Sequence, residues 1–300
     1  MSATIYRRVM SREKIALVVN KSSIEKTMNQ EKLWQAEPEN WRKSYEETGY
    51  LVVENAVDAQ TLAGLRAALD EIERAVSQDA LSDSLRRWVA LESDRTRDLA
   101  AGKVENNAIS NIMELPVFDP VFADFIIYPR VLDILEALFQ SREFAFHNYK
   151  AICKMPGNKA PFQWHRDLPY LQHTSPNLIT CMICLDDMTI ENGATEVCPG
   201  SHNIAHEDVL ASDVDIPENQ VPQNRVPVVC PAGSAVLFHV NIIHGGGPNF
   251  SETKRRNVIG IWAGPDCHPT TGARYVYEFV RPRSDDAAHQ KQIAMTFGAK

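Results

Sequence analysis

Residues 232–247 read AGSAVLFHVNIIHGGG and predict a short apolar strand, a turn, and a second strand that ends beside three glycines. Short β-rich runs separated by Gly, Asn and Ser are typical of antiparallel sheets. His244 closes the second strand at a place where the glycines let the backbone approach a ligand closely. The stretch therefore predicts an antiparallel β fold with a histidine at the end of one strand.

The same pattern continues on both sides of this stretch. Short strands at this spacing, with turn residues between them, predict a sandwich or barrel of antiparallel strands. The candidate strands are EFAFHNYKAICKM (143–155), APFQWHRD (160–167), NLITCMICLDD (177–187), TEVCP (195–199), RVPVVC (225–230), SAVLFHV (234–240), NIIHG (241–245) and NVIGIWAG (257–264). The polar segment 207–223 lies between them and predicts a surface excursion of the kind that is often functional.

The first half of the chain has mostly helical patterns. Asp58 precedes leucines at helical spacing and predicts a capped helix start. Helices are also expected over 29–47, over the charged segment 81–101 and from Pro129 onward, where they would cover one face of the sheet. We expect a single domain over 1–300, with residues 1–141 as mostly helical support, 142–282 as the β core and 283–300 as a C-terminal tail.

Composition narrows the class of protein. The 31 Lys and Arg against 39 Asp and Glu give a net charge of −8, so the basic footprint of a nucleic-acid partner is missing. The sequence predicts neither a membrane span nor a secretory signal, and its six cysteines are expected to be packing residues in a reducing compartment. A cytoplasmic protein with no nucleic-acid or membrane partner is expected, and a homodimer is left open.

The segment Phe162-Gln163-Trp164-His165-Arg166-Asp167 carries the first candidate site. Side chains two residues apart on a strand point to one face, so His165 and Asp167 are expected to bind a single cation. His244 follows 79 residues later and would add a second imidazole. Two histidines and one carboxylate are the facial triad of non-haem Fe(II) oxygenases, which keep positions open on the metal for a 2-oxo acid and O2. Arg255 or Arg256 would pair with the distal carboxylate of that acid.

These residues, taken in order, resemble a known family. The motifs are His165-Arg166-Asp167, Asn192-Gly193-Ala194-Thr195, Pro199-Gly200-Ser201-His202, Gly233 to His239, and His244-Gly245-Gly246-Gly247-Pro248-Asn249 followed by Arg255. The order and spacing are similar to those of the phytanoyl-CoA dioxygenase superfamily of Fe(II)- and 2-oxoglutarate-dependent oxygenases. The resemblance implies a double-stranded β-helix (jelly-roll, cupin-like) core flanked by N-terminal helices. It implies His165, Asp167 and His244 as iron ligands and catalytic residues, and Arg255 as the partner of the 2-oxoglutarate C5 carboxylate.

Further predictions concern the surroundings of that triad. Thr195 matches a position where related enzymes often contact the cosubstrate, and Gln163 is expected on the strand face of His165. His202 and His239 are expected to be structural. The resemblance also implies a serine two residues after His244, where this chain has Gly246 instead.

The resulting hypothesis is an Fe(II)- and 2-oxoglutarate-dependent dioxygenase, an oxidoreductase that uses O2 on an unactivated C–H bond of a small organic molecule. Related halogenases have Gly or Ala in place of Asp167, so the carboxylate here predicts hydroxylation, desaturation or another oxidative rearrangement. A specialised metabolite or small amine-containing compound is favoured as substrate, although Lys150, Lys154, Lys159 and Arg166 leave an acyl-CoA substrate open. A zinc-dependent hydrolase on the same three residues, or a non-catalytic jelly-roll binding module, are the alternatives.

Overall fold

Residues 38–92, 108–157 and 161–270 are described by a computed structural model of the chain. Four of the predicted segments lie partly or wholly outside this description. They are the start of the helix expected over 29–47, the part of segment 81–101 beyond 92, residues 271–282 of the expected core and the tail 283–300. No helix within the described ranges is both long enough and apolar enough to cross a membrane.

The helices belong mainly to the first half of the chain and pack against the sheet through apolar faces. Asp58 caps α2 by accepting a hydrogen bond from the Thr61 backbone nitrogen, as predicted, and the buried face of α2 carries Leu62, Leu65 and Leu69. The described helices are α1 (Pro38–Thr48), α2 (Ala59–Ser77), α3 (Asp83–Arg86), α4 (Pro120–Ile126), α5 (Pro129–Phe139), α6 (Leu168–Leu171) and α7 (His206–Leu210), with 3-10 turns at Leu115–Val117 and Glu218–Gln220.

Two antiparallel sheets form the core and confirm the jelly-roll class. The larger sheet has the order β1-β9-β6-β11-β4-β3-β2 and the smaller one the order β5-β10-β7-β8. The strands are β1 (Tyr50–Val53), β2 (Val89–Leu91), β3 (Ile109–Met113), β4 (Ala145–Lys154), β5 (Phe162–His165), β6 (Leu178–Cys184), β7 (Thr195–Val197), β8 (Val226–Pro227), β9 (Ala235–His239), β10 (His244–Gly246) and β11 (Arg255–Ala263).

All eight runs that the sequence marks as strands overlap a strand. The prediction that His244 closes its strand is wrong, because β10 begins at His244 and continues through Gly245 and Gly246, which pair with β7.

In the first half of the chain, the run YLVVENAV (50–57) predicts a short strand and forms β1, whereas β2 and β3 are strands that the sequence does not predict. β1 and β2 are the two edges of the larger sheet. The helical prediction for segment 81–101 is wrong at Val89–Leu91. These residues pair with β3, so sheet pairing overrides the local helical pattern there.

The large sheet separates two apolar regions. Its outer face packs on α2, α4 and α5 in the main hydrophobic core, while its inner face looks toward the small sheet and contributes Met182, Phe238 and Ile259. The six cysteines are all buried and free of disulfides. The surface excursion after β7 runs along the edge of β5, where the Ile216 backbone nitrogen donates to the Trp164 carbonyl. The helices cover the outer face of the large sheet, so the space between the two sheets is where a ligand site can form.

Candidate metal centre

His165 and His244 meet because their strands are neighbours in the small sheet. β10 runs antiparallel to β5, and His244 lies directly opposite His165 in the register. Their ring centroids are 4.1 Å apart. Two histidines separated by 79 residues in the sequence thus become adjacent through sheet pairing.

Asp167 completes the cluster from the end of β5. Its backbone nitrogen donates to the Val240 carbonyl, which fixes the turn into α6. Its Oδ1 lies 3.7 Å from His165 Nε2 and 3.9 Å from His244 Nε2. One ligand atom from each residue lies within 4.8 Å of the others, so the three side chains can share one cation. The structure therefore brings His165, Asp167 and His244 together.

Hydrogen bonds orient each of the three side chains toward the shared point. His165 Nδ1 donates to the Gln163 carbonyl at 2.7 Å, and His244 Nδ1 donates to the Ile242 carbonyl at 3.1 Å. A carbonyl only accepts, so in the neutral rings each Nε2 keeps its lone pair for a metal. The Thr180 hydroxyl donates to Asp167 Oδ2 at 2.7 Å and leaves Oδ1 facing the histidines.

Thr180 was not among the residues predicted from the sequence. It is the one hydroxyl in the otherwise apolar β6 sequence LITCMIC, which marks it as unusual but does not show that it faces the metal site. A hydroxyl that holds the second oxygen of a ligand carboxylate fixes the ligand's orientation, as such outer partners do in metal sites.

The protonation states also suit a metal. Burial by itself raises the pKa of the Asp167 carboxyl, but the neighbouring His244 and Lys150 side chains hold that pKa below its ordinary value. Burial and the nearby His165 ring lower the pKa of His244 to about 4. At neutral pH the cluster therefore holds an ionised carboxylate with a neutral His244, the forms that coordinate a metal.

The donor set fits a non-haem ferrous ion. Two imidazole nitrogens and one carboxylate oxygen occupy three positions on one face of such an ion and leave the others open for small ligands. The other polar atom of each side chain is already hydrogen-bonded, which leaves His165 Nε2, His244 Nε2 and Asp167 Oδ1 to face the metal. Zinc accepts the same donors, so the triad alone does not separate an iron oxygenase from a zinc hydrolase. The residues that line the cavity beside the triad bear on that choice.

That cavity encloses about 560 Å³ of space, part of it open to solvent, between the two sheets. Besides the triad, its described lining has no carboxylate and no further imidazole. The remaining lining residues are Lys150, Ile152, Lys154, Phe162, Thr180, Met182, Thr195, Phe238, Gly245, Gly246, Arg255, Asn257 and Ile259.

Arg255 lies at one end of this cavity with only 2% of its surface exposed. Its Nη1 donates to the Thr195 hydroxyl at 3.2 Å, and its Nε has no hydrogen-bond partner. Within the described part of the chain, no carboxylate forms an ion pair with Arg255. Burial lowers the pKa of Arg255 to about 10, which still leaves it charged at neutral pH. A buried, unpaired guanidinium is suited to receive a carboxylate from a ligand.

Arg256 occupies the opposite face of β11 and has a different environment. Its guanidinium is 2.9 Å from Asp186, 2.6 Å from Asp70 and 3.2 Å from Glu73. These contacts tie β11 to α2 on the side of the sheet away from the cavity. Of the two neighbouring arginines, the structure places Arg255 in the cavity and Arg256 in an ion-pair network.

The structure brings Thr195 into the cavity but does not bring the Gln163 side chain there. Gln163 is exposed, and only its backbone carbonyl reaches the site, through His165 Nδ1. The expected strand alternation fails because β5 carries one extra residue against β10. His165 pairs with His244 while Phe162 pairs with Gly246, and this bulge turns Phe162 instead of Gln163 toward the cavity.

The other sequence candidates lie outside the cavity lining. His202 contacts the Glu46 carbonyl at 3.2 Å, and its ring centroid is 5.3 Å from that of His239.

Gly246 lines the cavity at the position where the family resemblance implied a serine. A Cβ there would come within 3.1 Å of the Ala194 carbonyl oxygen and 3.4 Å of Lys154 Nζ, so the backbone is closely packed at this point.

Two lysines of β4 were not assigned a role from the sequence. Lys150, Ile152 and Lys154 alternate along the strand and all line the cavity. Lys154 is fully buried, and its ammonium donates to the carbonyls of Gly193 and Gly247. The spacing of four residues between Lys150 and Lys154 places both on one face of β4, but the sequence does not show that this face lines the cavity.

Comparison with known proteins agrees with this geometry. The chain is 27% identical over 241 residues to a probable alpha-ketoglutarate-dependent hypophosphite dioxygenase of Stutzerimonas stutzeri, covering 77% of this chain and 80% of the relative. It is 25% identical over 243 residues to an ectoine dioxygenase of Bordetella bronchiseptica, covering 73% of each. The crystal structure of EctD from S. alaskensis with bound Fe superposes with a TM-score of 0.59 at 20% identity, covering 84% of this chain and 82% of that one, and shows the same fold. The sequence profile described as phytanoyl-CoA dioxygenase (PhyH) matches residues 45–257, and the chain therefore belongs to the phytanoyl-CoA dioxygenase family.

Proposed function

We propose that the protein is an Fe(II)- and 2-oxoglutarate-dependent dioxygenase that oxidises a C–H bond of a small organic molecule. His165, Asp167 and His244 would hold the iron and form the catalytic centre. The single observation that carries this proposal is the convergence of three ligand atoms, within 4.8 Å of one another, in a cavity that also holds the unpaired Arg255.

Different side chains of the cavity would bind the metal and the distal carboxylate of 2-oxoglutarate. The triad would take the metal on one side, and Arg255 would pair with the C5 carboxylate of 2-oxoglutarate while Thr195 adds a hydroxyl contact. The iron, when bound, supplies the activation of O2 that couples conversion of 2-oxoglutarate to succinate and CO2 with oxidation of the substrate. Phe238 and Ile259 contribute apolar surface to the lining of this cavity.

The zinc hydrolase predicted as an alternative has less support. Hydrolysis at a zinc site needs a general base near the metal-bound water. The described cavity lining contains no carboxylate or imidazole beyond the three metal ligands themselves. Arg255, by contrast, provides the cation that the C5 carboxylate of 2-oxoglutarate needs in the oxygenase.

Relatives in the family are named for small substrates, hypophosphite in one case and ectoine in another. This supports a small-molecule substrate here, and we retain the proposal of a specialised metabolite. Hydroxylation, desaturation and other oxidative rearrangements all agree with a carboxylate at position 167. The net charge of −8 and six free cysteines support an enzyme of the cytoplasm without nucleic-acid or membrane partners, and a homodimer stays a prediction.

Succinate formation tests the proposal. Metal-free protein is reloaded with Fe(II) or with Zn(II) and supplied with 2-oxoglutarate, O2 and a panel of candidate substrates. We expect succinate and CO2 from the Fe(II) form alone, in amounts that rise with a true substrate. Hydrolysis of panel esters or amides by the Zn(II) form, without succinate from the Fe(II) form, would favour the hydrolase instead.

A further inference from the structure

Arg166 separates the proposed metal ligands His165 and Asp167 in the sequence, and the proposed function gives its side chain no task. The side chain is half-buried and is not among the residues that line the cavity. Its Nη1 donates to the Ser201 carbonyl at 2.7 Å and also to the Asn241 carbonyl. No carboxylate of the described residues forms an ion pair with Arg166, so these two carbonyls are the partners that hold the guanidinium in place.

β5, the strand that carries His165, has few sheet contacts. It is an edge strand of the small sheet, with β10 as its neighbour among the described strands. Two of its residues pair with β10, His165 with His244 and Phe162 with Gly246, and a bulge lies between these pairs. The excursion after β7 reaches its other edge through an isolated bridge at His165. This short and interrupted pairing leaves few backbone hydrogen bonds to set the distance between the ligands of the two strands.

The turn between β9 and β10 leads directly into His244, and Arg166 contacts this turn. The Val240 carbonyl accepts a hydrogen bond from the Asp167 backbone nitrogen at 3.0 Å. Arg166 reaches the next carbonyl of the same turn, that of Asn241. The segment with the first two ligands is therefore attached to the segment with the third through the backbone at Val240 and through the Arg166 side chain.

The Ser201 carbonyl adds a third segment to this contact. Ser201 lies in the turn after β7, and its hydroxyl accepts a hydrogen bond from the Ile243 backbone nitrogen at 2.8 Å. The Cys198 backbone nitrogen donates to the Ile243 carbonyl at 2.9 Å, one residue before His244. The Arg166 guanidinium thus lies where the turn after β7 meets the turn that leads into His244.

A guanidinium suits this place because Nη1 carries two N–H groups in a fixed plane, one for each carbonyl. Hydrogen bonds from a charged donor are shorter and stronger than those between neutral groups. An apolar side chain at position 166 would leave both carbonyls without this donor.

We propose that Arg166 is a positioning residue for the metal centre, which fixes the segment of His165 and Asp167 against the segment of His244 so that their ligand atoms meet at one ion. The inference rests on the proposed function and adds a residue that acts on the metal through its ligands. It also removes Arg166 from the cations left open for an acyl-CoA substrate, because both carbonyl contacts hold its guanidinium outside the cavity lining.

The test measures Fe(II) affinity by competition with a chelator, with O2 excluded. Arg166→Met keeps much of the aliphatic bulk and removes both hydrogen bonds, so the affinity should fall by at least about tenfold. Arg166→Lys keeps the charge, but its ammonium ends one bond short of the Nη1 position, so the affinity should fall only about threefold. At saturating Fe(II) and 2-oxoglutarate, the visible absorbance band should shift in Arg166→Met, because a displaced ligand changes the surroundings of the iron.

Arg86→Met is the matched control. Arg86 is also half-buried, and its Nη1 donates to a carbonyl at 2.7 Å, that of Val89. Val89 begins β2, an edge strand of the large sheet that contributes no residue to the cavity lining. This variant should lose some stability in urea titrations, as Arg166→Met does, but keep the Fe(II) affinity and the band of the wild type.

The outcomes separate the two proposals. If the wild type binds no Fe(II), or forms no band with 2-oxoglutarate, the proposed function fails and the role of Arg166 with it. If the wild type does both but Arg166→Met keeps its Fe(II) affinity, only the role of Arg166 is overturned. Equal losses of affinity in Arg166→Met and Arg86→Met would also overturn it, because the effect would then be one of general stability. Should Arg166→Met not fold, wild-type Fe(II) affinity in Arg166→Lys decides against the proposal.

Discussion

Thr180 shows how one hydroxyl can control a metal ligand without binding the metal. Its hydrogen bond to Asp167 Oδ2, at 2.7 Å, fixes the carboxylate so that Oδ1 faces both histidines. Thr180→Val keeps the shape of the side chain and removes this bond. We expect the affinity for Fe(II) to fall by about 10- to 100-fold, measured by competition with a chelator under exclusion of O2.

Thr253→Val is the matched control for this prediction. The Thr253 hydroxyl lies on an exposed loop, 3.0 Å from the Ser251 hydroxyl and away from the cavity lining. Its replacement should leave Fe(II) affinity unchanged. Equal affinities for Thr180→Val and the wild type would mean that Asp167 needs no support to bind the metal.

The second prediction for a single residue concerns Arg255 and the affinity for 2-oxoglutarate. Arg255→Gln removes a buried charge that has no carboxylate partner among the described residues. The Kd for 2-oxoglutarate should rise by about 100-fold or more, because a buried ion pair with the ligand is lost. Equilibrium titration of the Fe(II) protein without O2 measures it.

Thermal unfolding provides an independent readout for Arg255. A ligand that binds only the folded state raises the Tm, so 2-oxoglutarate should stabilise the wild type and fail to stabilise Arg255→Gln. Arg74→Gln, on the exposed face of α2, is the control and should respond like the wild type. Full stabilisation of Arg255→Gln by 2-oxoglutarate would place the C5 carboxylate elsewhere.

Sequence reasoning identified the triad residues more readily than their supports. The spacing of His165 and Asp167 and the glycines after His244 were visible as motifs. The bulge that turns Phe162 toward the cavity in place of Gln163 was not, because it arises from pairing with β10 and has no local signature. Thr180 was missed for a related reason: an almost wholly apolar strand does not reveal which of its faces looks inward.

At the scale of elements, the two faces of β11 separate binding from stability. Arg255 points into the cavity, whereas Arg256 joins β11 to Asp70 and Glu73 of α2 and to Asp186. Arg256→Met leaves these carboxylates without their shared cation. We expect the free energy of unfolding to fall by about 2 kcal/mol in urea titrations.

The affinity of Arg256→Met for 2-oxoglutarate should stay within about threefold of the wild type, since the cavity side of β11 is unchanged. Arg74→Met, which loses an exposed ion pair with Glu71 and an exposed hydrogen bond to Gln78, should cost little stability. If Arg256→Met were as stable as the wild type but had lost 2-oxoglutarate binding, Arg256 would be the residue that binds 2-oxoglutarate, and the assignment of Arg255 would be wrong.

The sequence predicted elements well where their local pattern and their packing agree. α2 begins at the Asp58 cap and buries its leucine face as its spacing indicated. The strand at Val89–Leu91 was predicted as helix because its flanks are charged and helix-prone. Its pairing with β3 is a long-range contact that local propensity does not encode.

At the scale of the whole molecule, half-buried histidines make stability depend on pH. Burial lowers the pKa of His239 and of His147 to about 4 each, whereas burial raises the pKa of Asp124 to about 6. A histidine with a lowered folded-state pKa stabilises fully above about pH 6.5, and that stabilisation is lost as the pH falls toward 4. Asp124 acts in the opposite direction and offsets part of the loss.

The free energy of unfolding of the metal-free protein should therefore decrease by about 2 kcal/mol or more between pH 7 and pH 5. His244, whose pKa is also lowered to about 4, adds to the decrease when no metal is bound. Urea titrations at the two pH values measure the difference. A protein that is equally stable or more stable at pH 5 would show that these histidines are already protonated in the folded state.

The central claim is that His165, Asp167 and His244 hold one ferrous ion that 2-oxoglutarate then joins. Anaerobic titration of metal-free protein with Fe(II), with and without 2-oxoglutarate, tests it most directly through the visible absorbance band and the bound stoichiometry. We predict one Fe(II) per chain, a band that needs both components, and Fe(II) affinity at least about tenfold weaker in Asp167→Ala when chloride is left out, because a methyl group cannot coordinate the metal. Wild-type Fe(II) affinity together with an unchanged band in Asp167→Ala would contradict the assignment of the three ligands.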